Sequence, residues 1–204
     1  ENVYASAIAC GLAHTVMSSA VEKAVYSWGW DEYGQLGHGG WDLFGGTKNR
    51  SPRPIKELQG KDIRGVACGS SHTLVMTASG EVFTVGWGKD GQLGLGPTMR
   101  ERKTPIAIKG LAHVQFIAAC GSHSLAITAD NKLYSWGHNQ AGQLGLGHRE
   151  VAWSPKEVMQ GSGISFRYAA CAGGVKYGHS LILVLQKRRE RGMSAEGPPR
   201  QIAS

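Results

Sequence analysis

Short runs in which apolar and polar residues alternate recur along the chain, and most of them end at a glycine. The second repeat is the clearest, because residues 62–69, 72–77 and 81–86 each predict a strand and residues 78–80 a turn. A loop then leads to a fourth predicted strand that starts at Pro105. No run shows the helical period of 3.6 residues. The pattern therefore predicts units of three to four short antiparallel strands.

Two sequence signatures repeat in step along the chain. The first is Ala-Cys-Gly followed closely by His, and its cysteines (Cys10, Cys68, Cys120 and, in a looser copy, Cys171) are 58, 52 and 51 residues apart. The second is an aromatic residue and a glycine followed by Gly-Gln-Leu-Gly, which begins at Gly34, Gly91 and Gly142. A proline opens each predicted fourth strand, at Pro54, Pro105 and Pro155. A fixed period of this length indicates a repeat architecture.

Units of this size made only of strands are typical of β-propeller blades, so we predict an all-β fold. The strands divide the chain into a partial propeller over residues 1–186 and a tail over residues 187–204. The tail lacks the second signature and is rich in Arg, Gly and Pro, which predicts disorder. The predicted blades cover about residues 3–58, 59–110 and 111–160, with half a blade at 161–186.

Both signatures together resemble the regulator of chromosome condensation repeat family, and the resemblance extends from about residue 3 to residue 186. It implies a propeller of seven blades, of which this chain carries three and a half. Half a ring leaves apolar blade faces uncovered at both ends. We therefore expect an incomplete ring whose remaining blades come from a longer parent chain or from another chain.

Composition and charge limit the possible partners, location and cofactors only moderately. Twenty-two Lys and Arg against fifteen Asp and Glu give a net charge of +7, which favours acidic partners but also suits a solvated surface. No run of eighteen apolar residues predicts a membrane span, and no secretory signal is visible, so we expect a cytoplasmic or nuclear location. The cysteines lack the spacing of a zinc site, and we expect buried thiols, no metal and no cofactor.

The repeated histidines His14, His72, His123 and His179 are interpreted as hydrogen-bonding residues that tie the turn between two strands. Catalysis needs one converging set of groups, whereas a repeat scatters its copies around a ring, so no catalytic residue is predicted. Trp28 and Trp136 hold the same repeat position and are expected to fill the core.

The loops that follow Gly-Gln-Leu-Gly are predicted to emerge on one face of the ring. They combine basic side chains with a few aromatic ones, and solvated loops without a partner remain an equal alternative. The partner-binding candidates are Trp41, Phe44, Lys48, Arg50, Arg53, Arg100, Arg102, Lys103, Arg149 and Trp153. In the tail, the basic cluster Lys187, Arg188, Arg189 and Arg191 fits a nuclear address, a phosphate-binding arm or a solubilising end.

These features predict a protein-interaction scaffold without enzymatic activity. The family resemblance also implies guanine-nucleotide exchange on a Ran-type small GTPase, which needs no acid, base or nucleophile. Binding to chromatin or nucleic acid through basic loops is a third hypothesis. A plant ultraviolet-B photoreceptor of the family has the pattern Gly-Trp-Arg-His-Thr, and its Trp-Arg pair is missing here, for example at Gly69-Ser70-Ser71-His72. Photoreception is therefore not expected.

Overall fold

A computed structural model describes residues 4–40, 48–158, 166–173 and 178–184, with backbone alone for Lys48 and the last two segments. This part of the chain is all-β, as predicted, apart from one 3₁₀ turn at Lys56–Leu58. Three sheets have four strands and a fourth has two. In chain order the strands are β1 Ala7–Cys10, β2 His14–Ser19, β3 Ala24–Trp30, β4 Lys48–Pro54, β5 Ile63–Cys68, β6 His72–Thr77, β7 Val82–Trp87, β8 Glu101–Ala107, β9 Val114–Cys120, β10 His123–Thr128, β11 Leu133–Gly137, β12 Ala152–Glu157, β13 Phe166–Gly173 and β14 Gly178–Val184.

Each sheet is a meander of consecutive antiparallel strands. The first strands β1, β5, β9 and β13 contact one another in that order, so the sheets lie side by side like the blades of a propeller. Among the described residues the sheets do not close into a ring, which confirms the predicted incomplete propeller. No helix in this part of the chain has the length and apolar character needed to cross a membrane.

The apolar core lies between neighbouring sheets. Leu74 and Met76 of the second sheet pack with Ile117, Ala126 and Trp136 of the third. A second cluster joins the first and second sheets in the same way. The second strands β6 and β10 are buried at every residue, because they are central in their sheets and covered on both sides. Packing between blades therefore supplies much of the stability of each blade.

The outer strands start earlier than the sequence predicts. Arg102, Lys103 and Trp153 were predicted in loops but lie in β8 and β12, and the same is true of β4 in the first sheet. The reason is that these are edge strands, which bond a neighbour on one side only and in which charged side chains are common. Alternation of apolar residues is therefore a weak signal for them.

The proline of each outer strand lies within the strand, whereas the prediction placed it at the start. Pro105 and Pro155 fall where the register of β8 on β7 and of β12 on β11 shifts. In the first sheet the equivalent residue is Pro52, because the next residue, Arg53, pairs with Ser27 as Ile106 pairs with Thr84. The predicted match to Pro54 is therefore wrong by two positions. An irregular register accommodates a residue without a backbone N–H.

Candidate functional site

The repeated histidines connect neighbouring blades. His14 Nε2 lies 3.1 Å from Thr73 Oγ1 in the next blade, and His72 Nε2 lies 2.9 Å from Ser124 Oγ in the one after. The prediction that these histidines form structural hydrogen bonds is correct for His14 and His72. Their bonds join two blades, however, whereas the prediction had them tie a turn within one blade. The bonded residues are 59 or 52 positions apart, so each bond forms only when the next blade packs alongside. The sequence alone does not show this contact.

The hydroxyl groups in these pairs fix the protonation of the rings. Thr73 Oγ1 donates to Gln35 O at 2.9 Å, and Ser124 Oγ donates to Gln92 O at 2.9 Å. Each hydroxyl has one proton, so it accepts from the histidine, whose Nε2 must carry the hydrogen. Burial lowers the pKa of His14 to about 4 and that of His72 to about 3, so both rings are neutral near pH 7.

A glycine below each ring makes this contact possible. A Cβ at Gly69 would lie 2.1 Å from His72 Cε1, and a Cβ at Gly11 would lie equally close to His14 Cε1. The Gly-x-x-His spacing of the first two copies of the signature is therefore a steric requirement, whereas the third copy, Gly121-Ser122-His123, is one residue shorter. The longer spacing lets the imidazole lie flat on the backbone of its own turn while Nε2 points to the next blade.

Trp136 forms the second contact between blades. Its indole N–H donates to Gln92 O at 2.9 Å, and its side chain is fully buried against Gly94 of the preceding blade. The prediction of core filling is correct for Trp136. It is wrong for Trp28, which is only part-buried, because no described blade precedes the first sheet.

One edge of the sheets carries the connections between first and second strands and between third and fourth strands. We call it the loop face; it comprises residues 11–13, 31–40, 69–71, 88–100, 121–122 and 138–151. The first two long loops reach the outer strand of the next blade, since Gly39 N donates to Lys103 O at 2.8 Å and Gly96 N to Trp153 O at 2.9 Å. The neighbouring blade thus holds each of these two loops at a glycine.

Three aromatic side chains cluster at the loop face, and the sequence prediction missed them. Tyr33 contacts Trp87 with ring centroids 4.3 Å apart and Trp30 at 5.3 Å. The ammonium group of Lys89 lies 4.7 Å from the centre of the Trp87 ring. The three rings are part-buried and join two blades. We call Trp30, Tyr33 and Trp87 the aromatic cluster; its signal in the sequence is a Trp that directly follows a glycine and ends β3 and β7.

The predicted partner-binding residues differ in exposure. Arg50, Arg53, Arg100 and Arg149 are exposed, whereas Arg102, Lys103 and Trp153 are part-buried. Lys103 pairs with Glu101 at 3.7 Å, and Arg53 donates to Asn49 at 3.3 Å. Lys48 is described only as the first residue of β4. Trp41, Phe44 and the tail cluster Lys187, Arg188, Arg189 and Arg191 lie outside the described residues.

Asp31 is a half-buried acid within the loop face. Its Oδ1 accepts from Leu36 N at 2.9 Å, as Asn139 Oδ1 accepts from Leu144 N at 3.0 Å in the third blade. Asn139 also donates to two loop carbonyl groups, which a carboxylate cannot do. Burial raises the pKa of Asp31 to about 6, although the Leu36 amide, Lys103 and Arg53 oppose the rise.

Replacing Asp31 with asparagine should therefore stabilise the protein. A carboxyl whose folded pKa exceeds its unfolded value destabilises the fold at high pH and loses that effect as the pH falls through the unfolded pKa. After allowance for its partial exposure, we expect Asp31→Asn to add about 1 kcal/mol to the free energy of unfolding at pH 7.5 and less at pH 5. Urea denaturation measures both values. Glu32→Gln, in the exposed neighbouring residue, is the control; an equal gain there would contradict the assignment.

The cysteines follow the prediction with one exception. Cys10, Cys68 and Cys120 form no disulfide bond among the described residues, and Cys68 and Cys120 are buried. Burial raises the pKa of the Cys68 thiol to about 12. Cys10 is exposed, because its sheet has no described neighbour on that side. Within the described ranges, no three His, Cys, Asp or Glu side chains form a group that could hold a metal ion.

Meandering four-stranded sheets with contacts that repeat from blade to blade define a β-propeller repeat protein. The model of the regulator of chromosome condensation (RCC1) repeat matches residues 23–76, 79–127 and 130–176. A second model of the same repeat matches residues 63–92 and 114–143. The chain belongs to the RCC1 repeat family.

Relatives of different function share these repeats. The chain is 41% identical over 167 residues to the ultraviolet-B receptor UVR8 of Arabidopsis thaliana, which covers 80% of this chain and 36% of the receptor. It is 37% identical over 149 residues to the human E3 ubiquitin-protein ligase HERC2, covering 71% of this chain and 3% of the ligase. The chain thus spans about a third or less of the length of these relatives.

Solved structures show the same fold. The chain superposes on Prp20p from Saccharomyces cerevisiae, described with its binding properties to Gsp1p and histones, with a TM-score of 0.78 and 21% identity over 90% of this chain and 44% of Prp20p. It also superposes on human WBSCR16 with a TM-score of 0.75 and 25% identity, over 90% of this chain and 48% of that protein. Both superpositions use less than half of the known structure.

Proposed function

We propose that this chain is a non-enzymatic scaffold that binds a protein partner through the loop face, with the aromatic cluster at the centre of the interface. The observation that carries the proposal is the contact of Trp30, Tyr33 and Trp87 across two blades. Tryptophan, tyrosine and arginine are enriched among residues that contribute most to binding energy. Rings already held by their neighbours lose little entropy when a partner binds.

Charge favours an acidic partner. Lys89, Arg100 and Arg149 are exposed on the loop face, and Arg50 and Arg53 are exposed in the adjoining strand β4. With Arg102 and Lys103 of β8 the region has seven basic side chains against five acidic ones, Asp31, Glu32, Asp90, Glu101 and Glu150, so the positive excess is small. Such a surface steers an acidic partner and selects its orientation more than it determines affinity. The aromatic cluster supplies the apolar contact.

Photo-crosslinking in cells tests which face binds. A benzoylphenylalanine at Lys89 lies on the loop face, and one at the exposed Lys109 lies on the opposite edge and is the matched control. We expect discrete acidic proteins to crosslink at position 89 alone. Adding Trp87→Ala should lower the yield about tenfold, as expected for a central interface residue. Phe83→Ala changes a part-buried aromatic residue away from the loop face and should leave the crosslinking yield unchanged. Equal crosslinking at position 109, or no loss with Trp87→Ala, would contradict the proposal.

Two further assays distinguish the alternative functions. Gsp1p is named with the Prp20p structure, so a Ran-type GTPase loaded with fluorescent GDP is the probe for exchange. Faster release with the full chain, lost in Trp87→Ala, would identify the partner as a GTPase. Duplex DNA is the probe for nucleic-acid binding, and affinity that falls steeply between 50 and 200 mM salt would support that alternative.

A further inference from the structure

The junction between the first and second sheets differs from the next junction at two positions. In the third sheet these positions hold Trp136, whose ring fills the junction, and Ala152. In the second sheet the strand register places Val85 and Arg102 there. A small apolar residue thus replaces the indole, and a long cationic side chain replaces a methyl group.

Arg102 carries a buried donor that lacks an acceptor. Its backbone pairs with Gly86. Its Nε–H is inaccessible to solvent and has no hydrogen-bond partner among the described residues. The side chain as a whole is only part-buried, so the guanidinium is accessible to a ligand from outside.

A second buried donor without an acceptor borders the same glycine. Gln35 is fully buried, and its Cβ lies 3.1 Å from the position that a Cβ at Gly86 would take. Its Oε1 accepts from Tyr33 N at 2.9 Å, which fixes the orientation of the amide, and its Nε2 has no partner among the described residues. In the third blade the equivalent Gln143 Nε2 lies 3.0 Å from His138 Nδ1. The first blade has a tryptophan at that histidine position, and an indole nitrogen cannot accept.

These two donors define the chemistry of what they bind. Buried N–H groups are nearly always paired, so two unpaired ones beside one glycine, one of them on a cation, indicate an anionic acceptor. Glu101 pairs with Lys103 at 3.7 Å, and the cations that act on Asp31 are Lys103 and Arg53, so neither contact involves Arg102. The same two acids limit the local positive charge, which favours a carboxylate with one charge over a phosphate dianion. A guanidinium also matches a carboxylate in shape.

We propose that Arg102 and Gln35, where they border Gly86, form a carboxylate site that receives an Asp or Glu side chain of the protein partner. The carboxylate accepts from Arg102 Nε–H and from the Gln35 amide. This inference rests on the proposed function, because Trp87 of the aromatic cluster follows Gly86 directly in β7. It replaces a general preference for acidic partners with one specific contact.

Titration of the full chain with sodium acetate tests the site without the partner. The measurement is the NMR shift of the Arg102 Nε–H and Gln35 amide signals, assigned with Arg102→Lys and Gln35→Glu. We expect both signals to move together and to saturate, whereas sodium chloride at equal ionic strength moves neither. The Nε–H signal of Arg53, an exposed arginine, should not move. In Arg102→Lys, acetate should bind about tenfold more weakly at the Gln35 amide, as expected for a lost hydrogen bond to a charged group.

Two matched glutamine substitutions test the geometry. Gln35→Glu keeps the acceptor for Tyr33 N and places its own carboxylate oxygen where the amide nitrogen was, so Arg102 should no longer respond to acetate. Gln92→Glu is the control, because Gln92 Oε1 accepts from Asp90 N in the same way at 3.0 Å but the next blade has no arginine at the equivalent position. It should leave the acetate response of Arg102 unchanged.

The crosslinking assay at position 89 tests whether the partner uses the site. Arg102→Lys should lower the yield about tenfold, because the charge stays but the Nε–H is lost. Arg100→Lys makes the same change in an exposed loop residue and should leave the yield unchanged.

Each outcome supports or overturns the site. If acetate moves neither signal, a buried water completes the donors and the proposal is wrong; if chloride acts as acetate does, the site holds an adventitious ion only, which also overturns it. Acetate binding without a loss of crosslinking in Arg102→Lys would overturn the assignment to the partner. The proposed function fails separately, when Trp87→Ala keeps the full crosslinking yield.

Discussion

Replacing Trp136 with alanine should lower the free energy of unfolding by about 4 kcal/mol, within the range for large buried aromatic residues. The ring is fully buried, fills the space between the second and third sheets and satisfies Gln92 O through its N–H. Removing it leaves a cavity and takes away one of the two donors to that carbonyl. Urea denaturation at pH 7.5 measures the change.

The same substitution at Trp28 is the matched control for this prediction. Trp28 has the same repeat position and pairs with Thr15 as Trp136 pairs with Ser124, but it is only part-buried because no described blade precedes its sheet. We therefore expect Trp28→Ala to cost about 1 kcal/mol, since little apolar surface is lost from the core. Equal losses at both positions would show that contact with a preceding blade is not the source of the stability of Trp136.

The repeat period and the strand alternation made the fold predictable. Central strands such as His72–Thr77 have apolar and small residues after the histidine and lead into a turn at Gly80, and these local signals are independent of what surrounds the blade. The edge strands were less predictable, because Glu101–Ala107 is charged and part-exposed, and its pairing with β7 depends on a neighbour about twenty positions earlier. The sequence therefore placed the starts of these edge strands too late.

The junctions between blades could be predicted only in part. The sequence showed that His14 and His72 recur, but their partners Thr73 and Ser124 belong to the next repeat and become adjacent only in the folded propeller. The aromatic cluster was missed for a similar reason, since Tyr33 and Trp87 lie 54 positions apart in the sequence. The roles proposed for the basic loop residues remain predictions.

Acid should unfold the protein through its buried histidines. Their folded pKa values, about 4 for His14 and about 3 for His72, lie below the ordinary value of 6.5 because burial disfavours the charged ring. The unfolded chain therefore binds more protons below pH 6.5, and stability falls as the pH drops from there towards the folded pKa values. Each ring lowers the free energy of unfolding by about 3 kcal/mol by pH 4, and the two losses together approach the total stability of a typical domain.

The unfolding transition should accordingly fall between pH 4 and pH 5 and should follow proton uptake by these two rings. His72→Gln keeps an N–H that can reach Ser124 but cannot titrate, so stability should fall less steeply with pH, by about 1.4 kcal/mol per pH unit for each proton no longer taken up. His148→Gln, in an exposed loop residue, is the control. Urea denaturation between pH 7.5 and 4.5 measures the slopes. If His72→Gln and wild type had the same slope, the protonation of a blade junction would not be the cause of acid unfolding.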